Sequence, residues 1–204
     1  SVPSLLKNKY FYTEDGTLRN IMHYLFSDQS PLAYLESRQL YTNHFYEMIT
    51  QNDIFENEIS DYNKTIISFL IKNGIIRISE DKVIKILNPY KVKILYDLYH
   101  YNSINYYRSH PLIKKEINSM ASQSKLKSYD SLFSKEEQDY FNYYLNKSEF
   151  SNGLDLRNKY VHGTQPNEPE NHIHRMNYMI ILRLFVLLII KINDEFILMQ
   201  KYRM

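Results

Sequence analysis

Apolar residues recur at helical spacing along most of this chain, and turn-forming residues separate the stretches in which they do so. Proline at the start and glycine at the end of several stretches mark boundaries, because proline fits a first helical turn and glycine a left-handed stop. The pattern predicts helices over residues 17–26 with Thr17 as cap, 32–50 after Pro31, 61–73 before Gly74, from Pro89, after Pro111, 134–145 and 170–196. The residues from Pro89 onward predicted to face inward are Val92, Leu95, Leu98 and Tyr99.

One stretch follows a period of two rather than a helical period. Residues 75–78 and 83–86 alternate apolar and charged side chains on either side of a turn at residues 80–82, which predicts a β-hairpin. A helix followed by a hairpin resembles part of a winged-helix module, in which the helix reads duplex DNA. The alternative is a small hairpin that covers a helical core, and the sequence leaves both open.

Composition narrows the fold class. The chain has 204 residues, 44% of them apolar, which suffices for a packed core. Four glycines and six prolines leave few breaks, and so favour a mainly α protein over a sandwich or barrel. We expect an N-terminal helical region over residues 1–89, with the hairpin at about 75–86, and a helical bundle over 90–204.

Charge and residue usage exclude several function classes. A net charge of +2 does not indicate a basic nucleic-acid binder, and the absence of cysteine excludes disulfides, thiolate zinc sites and cysteine nucleophiles. Residues 179–190 are shorter than the ~20 apolar residues of a membrane helix, and Arg183 interrupts them, so we expect a buried core helix. These features favour a cytoplasmic protein. A first residue of Ser1 suggests a piece of a longer one.

Residues 151–163 combine helix boundaries with candidate chemistry. Ser151 or Asn152 is expected to cap a short helix and Gly163 to end it. Asn158 and His162 are four residues apart on that helix, so the amide can orient the imidazole. Arg157 is five residues from His162, roughly 140° around the axis. Both groups reach one phosphate only if the end of the helix unwinds or a second copy completes the site.

An arginine and a histidine without a carboxylate cluster suit RNA cleavage, in which the 2′-hydroxyl attacks its own phosphodiester. Histidine titrates near neutrality and can transfer the proton, and a guanidinium stabilises charge on the phosphoryl oxygens. The reaction requires neither a metal nor another cofactor. His172 and His174, only two residues apart, would diverge by about 200° on a helix and make a poor chelate.

The run Arg157-Asn158-x-x-x-His162-Gly163, followed by a loop and a long apolar helix, resembles the signature of the HEPN superfamily. Members are small helical bundles, and many are dimeric, metal-independent endoribonucleases of toxin–antitoxin, abortive-infection and CRISPR systems. The resemblance implies a C-terminal HEPN-like bundle, a homodimer, and two facing motifs that supply one histidine as base and one as acid. Asn158 would orient the catalytic groups. An antitoxin or a larger parent protein is a further possible partner.

Candidate RNA contacts come from two places. Lys159 and Tyr160 belong to the motif, where the lysine adds phosphate attraction and the tyrosine can stack on a base. Lys114 and Lys115 belong to a locally basic stretch over residues 108–127, whose alternative is an ordinary solvated helix face. A similar pair, Arg19 and His23, is four residues apart and is expected to be unrelated to catalysis.

Two alternatives to the ribonuclease stay open. The same helix could contact nucleic acid or a partner protein without cleaving, as some HEPN-like domains do. Residues 61–87 could instead bind DNA as a winged helix. A cleavage assay with a chelator present separates a metal-independent nuclease from a binding module.

Overall fold

A computed structural model describes residues 2–161, 163 and 171–202, and within them the chain is mainly α-helical. The helices are Gly16–Phe26 (α1), Phe45–Gln51 (α2), Asp61–Lys72 (α3), Pro89–Tyr101 (α4), Pro111–Ser122 (α5), Lys135–Leu145 (α6), Leu156–Val161 (α7) and Asn171–Lys201 (α8). The strands are Tyr10–Tyr12 (β1), Tyr34–Leu35 (β2), Leu40–Tyr41 (β3), Ile76–Ile78 (β4), Ile84–Ile86 (β5), Ile104–Asn105 (β6) and Lys127–Tyr129 (β7). The predicted mainly α class is confirmed.

The chain forms two compact units, one of residues 11–128 and one of residues 1–10 with 129–204. This division differs from the predicted boundary between residues 89 and 90, because α4 and α5 pack with each other and α4 packs on α1 within the first unit. The predicted bundle from residue 90 onward therefore does not include these two helices among its own core. Short-range signals along the chain gave no indication of this pairing.

The unit of residues 11–128 contains the main apolar core, built from one face of each of its helices. Leu18 and Ile21 of α1, Leu70 of α3 and Leu95 of α4 are all essentially fully buried in it. Val92, Leu95 and Leu98 face inward as predicted, whereas Tyr99 is 37% exposed and does not. A three-stranded sheet has the order β6-β1-β7.

The predicted hairpin is confirmed. β4 and β5 pair antiparallel, with Ile76 opposite Ile86 and Ile78 opposite Ile84. Ile76 and Ile84 are buried while Arg77 is exposed, as the alternation requires. Backbone bonds also bring residues 54–56 alongside β5, since the Ile84 amide donates to the Ile54 carbonyl at 2.8 Å. The hairpin thereby covers the core of its unit.

The predicted helix over residues 32–50 forms only in its last part, as α2 (Phe45–Gln51), and is wrong for the residues before it. Residues Pro31–Ala33 form one 3₁₀ turn and Glu36–Arg38 another, and the short pair β2–β3 brings Leu35 opposite Leu40. The turn between these strands requires a left-handed residue, Gln39 at φ 49°, which a helix would not accommodate. The helical period in this segment therefore came from residues that enter the core from several short elements.

Helix ends were predicted with mixed success. Ser134 caps α6 and exchanges hydrogen bonds with Glu137 in the predicted capping box, and Gly74 has the left-handed φ of 68° expected after α3. For α1 the cap is Asp15, whose carboxylate accepts a 2.9 Å bond from the Leu18 amide, and the predicted cap Thr17 lies inside the helix. Asp15, two residues before Thr17, thus takes the capping role at the free backbone amides of the first turn of α1.

The predicted burial of residues 179–190 is wrong, although the helix itself forms and extends to Lys201. On α8 the buried side is narrow and includes Asn177, Leu184, Glu195 and Leu198. Many large apolar side chains on the rest of its surface are exposed. They are Ile173, Met176, Tyr178, Met179, Ile181, Leu182, Phe185, Val186, Leu187, Ile189, Ile190, Ile192, Phe196, Ile197 and Met199. No helix among the described residues combines the length and the hydropathy needed to cross a membrane.

Candidate functional site

Arg157, Asn158, Lys159 and Tyr160 lie on α7, which begins later than predicted. Neither Ser151 nor Asn152 caps it, because residues 151–155 form a turn in which the Leu154 amide donates a 2.9 Å bond to the Tyr143 carbonyl of α6. Asp155 then adopts a left-handed φ of 54°, and the helix starts at Leu156. The prediction failed because a tertiary bond to α6, rather than a local cap, sets the start of α7.

Gly163 has a φ of 62°, so its predicted left-handed conformation is confirmed. Leu156 is 1% exposed and anchors the other end of α7 in the apolar interior of its unit. A six-residue helix is too short to be stable by itself, so this buried leucine and the turn before it must hold α7 in place. The exposed residues of α7 are thus presented on a fixed element.

Arg157 and Asn158 lie in the first turn of α7, and both are exposed. Asn158 Nδ2 donates a 2.7 Å bond to the carboxylate of Asp155, one turn earlier. The predicted partner of Asn158, His162, lies outside the described residues, as does most of the loop expected to follow the motif. The arrangement of Arg157 relative to that imidazole therefore stays a prediction.

Lys159 and Tyr160 complete the motif helix. Lys159 is partly exposed, and its amide donates a 3.1 Å bond to the Asp155 carbonyl. The Tyr160 hydroxyl lies 3.2 Å from Nδ1 of His174 and accepts a 3.0 Å bond from Nδ2 of Asn177. These bonds connect α7 to the first turns of α8.

His174 and Asn177 are neighbours of the motif that the sequence did not indicate. They are 14 and 17 residues from Tyr160 and belong to another helix, so no helical period connects them to it. From the sequence, His174 was of interest only as a metal ligand with His172. Within the described residues, no cluster of three histidine, aspartate or glutamate side chains has the arrangement of a metal site.

Lys114 and Lys115, the other predicted RNA contacts, lie on α5 and so belong to the unit of residues 11–128. The Lys114 ammonium lies over the rings of Tyr106 and Tyr107, at 5.3 and 5.8 Å from their centroids. Cation–π contacts of this kind hold the lysine against its own unit. Their presence accounts for the position of Lys114 without an RNA ligand.

Comparison of the chain with protein-family models, curated proteins and solved structures gives no match.

Proposed function

We propose that this chain is a metal-independent, HEPN-type endoribonuclease that cleaves RNA by attack of the substrate's 2′-hydroxyl. The observation that supports the proposal best is the presentation of Arg157, which is exposed in the first turn of a short helix fixed at one end by Leu156 and ended by left-handed Gly163. A guanidinium on a fixed element is suited to bind a phosphodiester in one orientation.

The proposed step balances without a metal. The 2′-oxygen attacks phosphorus and gives its proton to an imidazole, the role proposed for His162, while the bond from phosphorus to the 5′-oxygen breaks. That oxygen takes a proton from a second, protonated imidazole, proposed to be the partner protomer's copy of the motif histidine, which becomes neutral. Arg157 stabilises the extra negative charge on the phosphoryl oxygens. The products are a 2′,3′-cyclic phosphate and a 5′-hydroxyl.

A second copy of the chain is the proposed partner of α8, because its exposed apolar residues include a heptad pattern. Side chains spaced alternately by four and three residues lie on one face, which is the spacing of a coiled-coil seam. They are Tyr178, Leu182, Phe185, Ile189, Ile192, Phe196 and Met199, and they are between 37% and 63% exposed. The seam extends over about 33 Å of helix.

The area of this seam fits a dimer. With roughly 200 Å² for a fully exposed large side chain, the seven residues expose on the order of 650 Å² per protomer, or about 1,300 Å² for two. Specific interfaces bury about 1,200–2,000 Å² in total. A two-fold pair of α8 helices would therefore remove enough apolar surface from water for a stable homodimer.

Catalysis should depend on Arg157 and His162. The purified chain with a chelator is expected to cleave single-stranded RNA to the products named above and to leave DNA intact, because DNA lacks the nucleophile. Arg157→Ala and His162→Ala should each lower the rate on the order of 100-fold or more without changing the melting temperature. Matched controls are Arg19→Ala and His23→Ala, which remove the same two residue types from α1, in the other unit of the chain.

Unchanged cleavage by His162→Ala, or equal cleavage of DNA and RNA, would reject this mechanism. RNA that is bound but left intact would favour the non-catalytic binding module. Activity that disappears with the chelator would indicate a metal nuclease instead.

The dimer has a defined direction. Because Tyr160 contacts the first turns of α8, the two motif helices can meet only if the two α8 helices run in the same direction. In a parallel seam Leu182 faces its own copy, close enough for a disulfide after substitution by cysteine. The chain has no cysteine of its own, so Leu182→Cys reports this pairing alone.

Under mild oxidation Leu182→Cys should form a covalent dimer of twice the 24.7 kDa chain. The control Tyr62→Cys, at a 77% exposed position of α3, should not do so at the same concentration. Ile189→Asp should convert the parent dimer to a monomer in light scattering, because it would bury two like charges in the seam. A monomeric parent at micromolar concentration would contradict the proposed partner.

A further inference from the structure

The hydroxyl of Tyr160 is held by two side chains of α8. The Asn177 amide nitrogen can only donate, so at 3.0 Å the Tyr160 oxygen is the acceptor and its own proton is available for Nδ1 of His174 at 3.2 Å. Asn177 is 9% exposed, so this amide donates from a largely buried position. The tip of the tyrosine is thus fixed, although the side chain lies at the surface.

The ring itself stays accessible. Tyr160 is 41% exposed, and the His174 ring meets it at an interplanar angle of 69° with 6.1 Å between centroids. This tilted contact is not parallel stacking, so His174 does not cover a face of the tyrosine ring. A large aromatic surface is therefore available to a flat ligand and is already oriented before that ligand binds.

Arg157 lies three residues before Tyr160 on the same helix, which makes the two side chains neighbours on the surface of α7. In a nucleic acid a single ribose separates each phosphate from its base. A strand whose phosphate contacts Arg157 therefore has an adjacent base within reach of Tyr160. Lys159, between them in sequence, adds positive charge to the same helix.

We propose that Tyr160 is a stacking platform for an unpaired nucleobase beside the phosphate bound by Arg157, and that His174 and Asn177 are its positioning residues. The inference rests on the proposed function and adds the reason that the RNA is unpaired at this site. A base in a duplex is stacked between its neighbours and does not offer its face. Stacking tolerates all four bases, so the platform selects unpaired strands rather than a sequence.

The test measures binding separately from cleavage. A fluorescent 2′-O-methyl oligonucleotide has no free 2′-hydroxyl to attack, and an oligonucleotide of the same length with abasic positions offers the same phosphates without bases. The parent chain should bind the base-containing strand more tightly in fluorescence anisotropy. Tyr160→Leu should weaken that binding about 5- to 100-fold and leave the abasic strand unaffected, whereas Tyr160→Phe should stay within about threefold of the parent.

The phenylalanine variant separates binding from a purely structural role. Tyr160→Phe and Tyr160→Leu both lose the bonds to Asn177 and His174, so a tyrosine that only connects α7 to α8 would give the same result for both. Equal effects of the two variants, or no effect of Tyr160→Leu, would overturn the proposal. Tyr62→Leu makes the same substitution on α3 and should leave binding unchanged.

Measurements on the parent chain alone also test the proposal. A parent chain that binds base-containing and abasic strands equally, or binds neither, overturns the platform. A parent chain that prefers the base-containing strand but does not cleave RNA supports the platform and rejects the proposed ribonuclease, so the two failures are distinguishable.

Discussion

Glu195 of α8 is the best single position at which to perturb the C-terminal unit, because its buried carboxylate connects two distant segments. It is 2% exposed. One of its oxygens accepts from the Ser4 hydroxyl and from the amides of Leu5 and Leu6, at 2.8 and 3.2 Å for the amides. The other oxygen accepts from the ammonium of fully buried Lys9. The substitution Glu195→Gln keeps the shape and removes the charge.

Glu195→Gln should lower the free energy of unfolding because it leaves the buried charge of Lys9 without its counter-charge. Of the hydrogen bonds described for the Lys9 ammonium, the one to the Leu132 carbonyl at 3.3 Å would remain, and the counter-charge would be lost. Removing one member of a buried ion pair costs about 3–5 kcal/mol. At about 2–4 °C per kcal/mol for a chain of this size, the melting temperature should fall on the order of 10 °C.

A double variant tests the reasoning. Lys9→Met removes the orphaned charge, while the glutamine introduced by Glu195→Gln would still accept from the backbone amides of Leu5 and Leu6. The double variant Lys9→Met/Glu195→Gln should therefore be more stable than Glu195→Gln alone. Thermal and urea unfolding followed by circular dichroism measure the stability of both variants. A cost of Glu195→Gln below about 1 kcal/mol, or a double variant no more stable than the single, would refute the role assigned to the pair.

The contact between Lys9 and Glu195 also makes the stability of the protein depend on pH in the acid range. Burial alone would raise the pKa of the Glu195 carboxyl, but the hydrogen bonds and charge of Lys9, together with Ser4, hold its pKa below the ordinary value. The unfolded chain therefore takes up this proton at a higher pH than the folded chain does. The stabilisation is complete above the ordinary glutamate pKa of about 4.3 and is lost as pH falls through the folded value. Glu195→Gln should flatten this part of the stability profile.

Two glycines give further predictions, each with a control and measured by thermal unfolding. Gly163→Val should lower the free energy of unfolding by about 1 kcal/mol or more. The cause is backbone strain alone, because no described atom lies within 4 Å of an added Cβ. Its control Gly163→Asn should lower the free energy of unfolding less, since asparagine tolerates a left-handed φ. Gly153→Ala should cost about 1–3 kcal/mol, because its Cβ would lie 2.7 Å from the Tyr143 carbonyl oxygen, whereas Gly16→Ala meets no described atom and should be tolerated. Equal melting of each variant and its control would contradict these assignments.

The sequence predicted elements well where the signals were local. Pro89 and Pro111 begin α4 and α5, Ser134 and Glu137 begin α6, and Gly74 follows α3 in a left-handed conformation. Each of these signals acts within one helical turn, so no tertiary information was needed. The hairpin of β4 and β5 was predictable for the same reason, since alternation and a short turn determine its register.

Predictions failed where distant contacts decide the conformation. The start of α7 depends on the bond from Leu154 to Tyr143, and the neighbours of Tyr160 come from a different helix. The sequence offered Arg157 and Tyr160 as candidates, but the side chains that hold Tyr160 could not be inferred from spacing. Likewise, the grouping of α4 with α1 depends on packing between segments that are far apart along the chain.

The wrong prediction that α8 is buried has a different origin. A hydrophobic pattern indicates that a surface is buried, but not whether the same chain or a second chain buries it. The apolar run around Phe185 and Ile189 predicted burial, and in the single chain these residues are 57% and 49% exposed. Exposed apolar area of this extent is costly in water and is characteristic of an interaction surface. If the proposed pairing of two α8 helices is correct, the prediction of burial applies to the dimer rather than to the monomer. The loss of the dimer in Ile189→Asp should then be accompanied by loss of RNA cleavage, because the second proton-transfer group would leave with the partner. Full cleavage by a monomeric Ile189→Asp chain would show instead that one protomer contains all the catalytic groups.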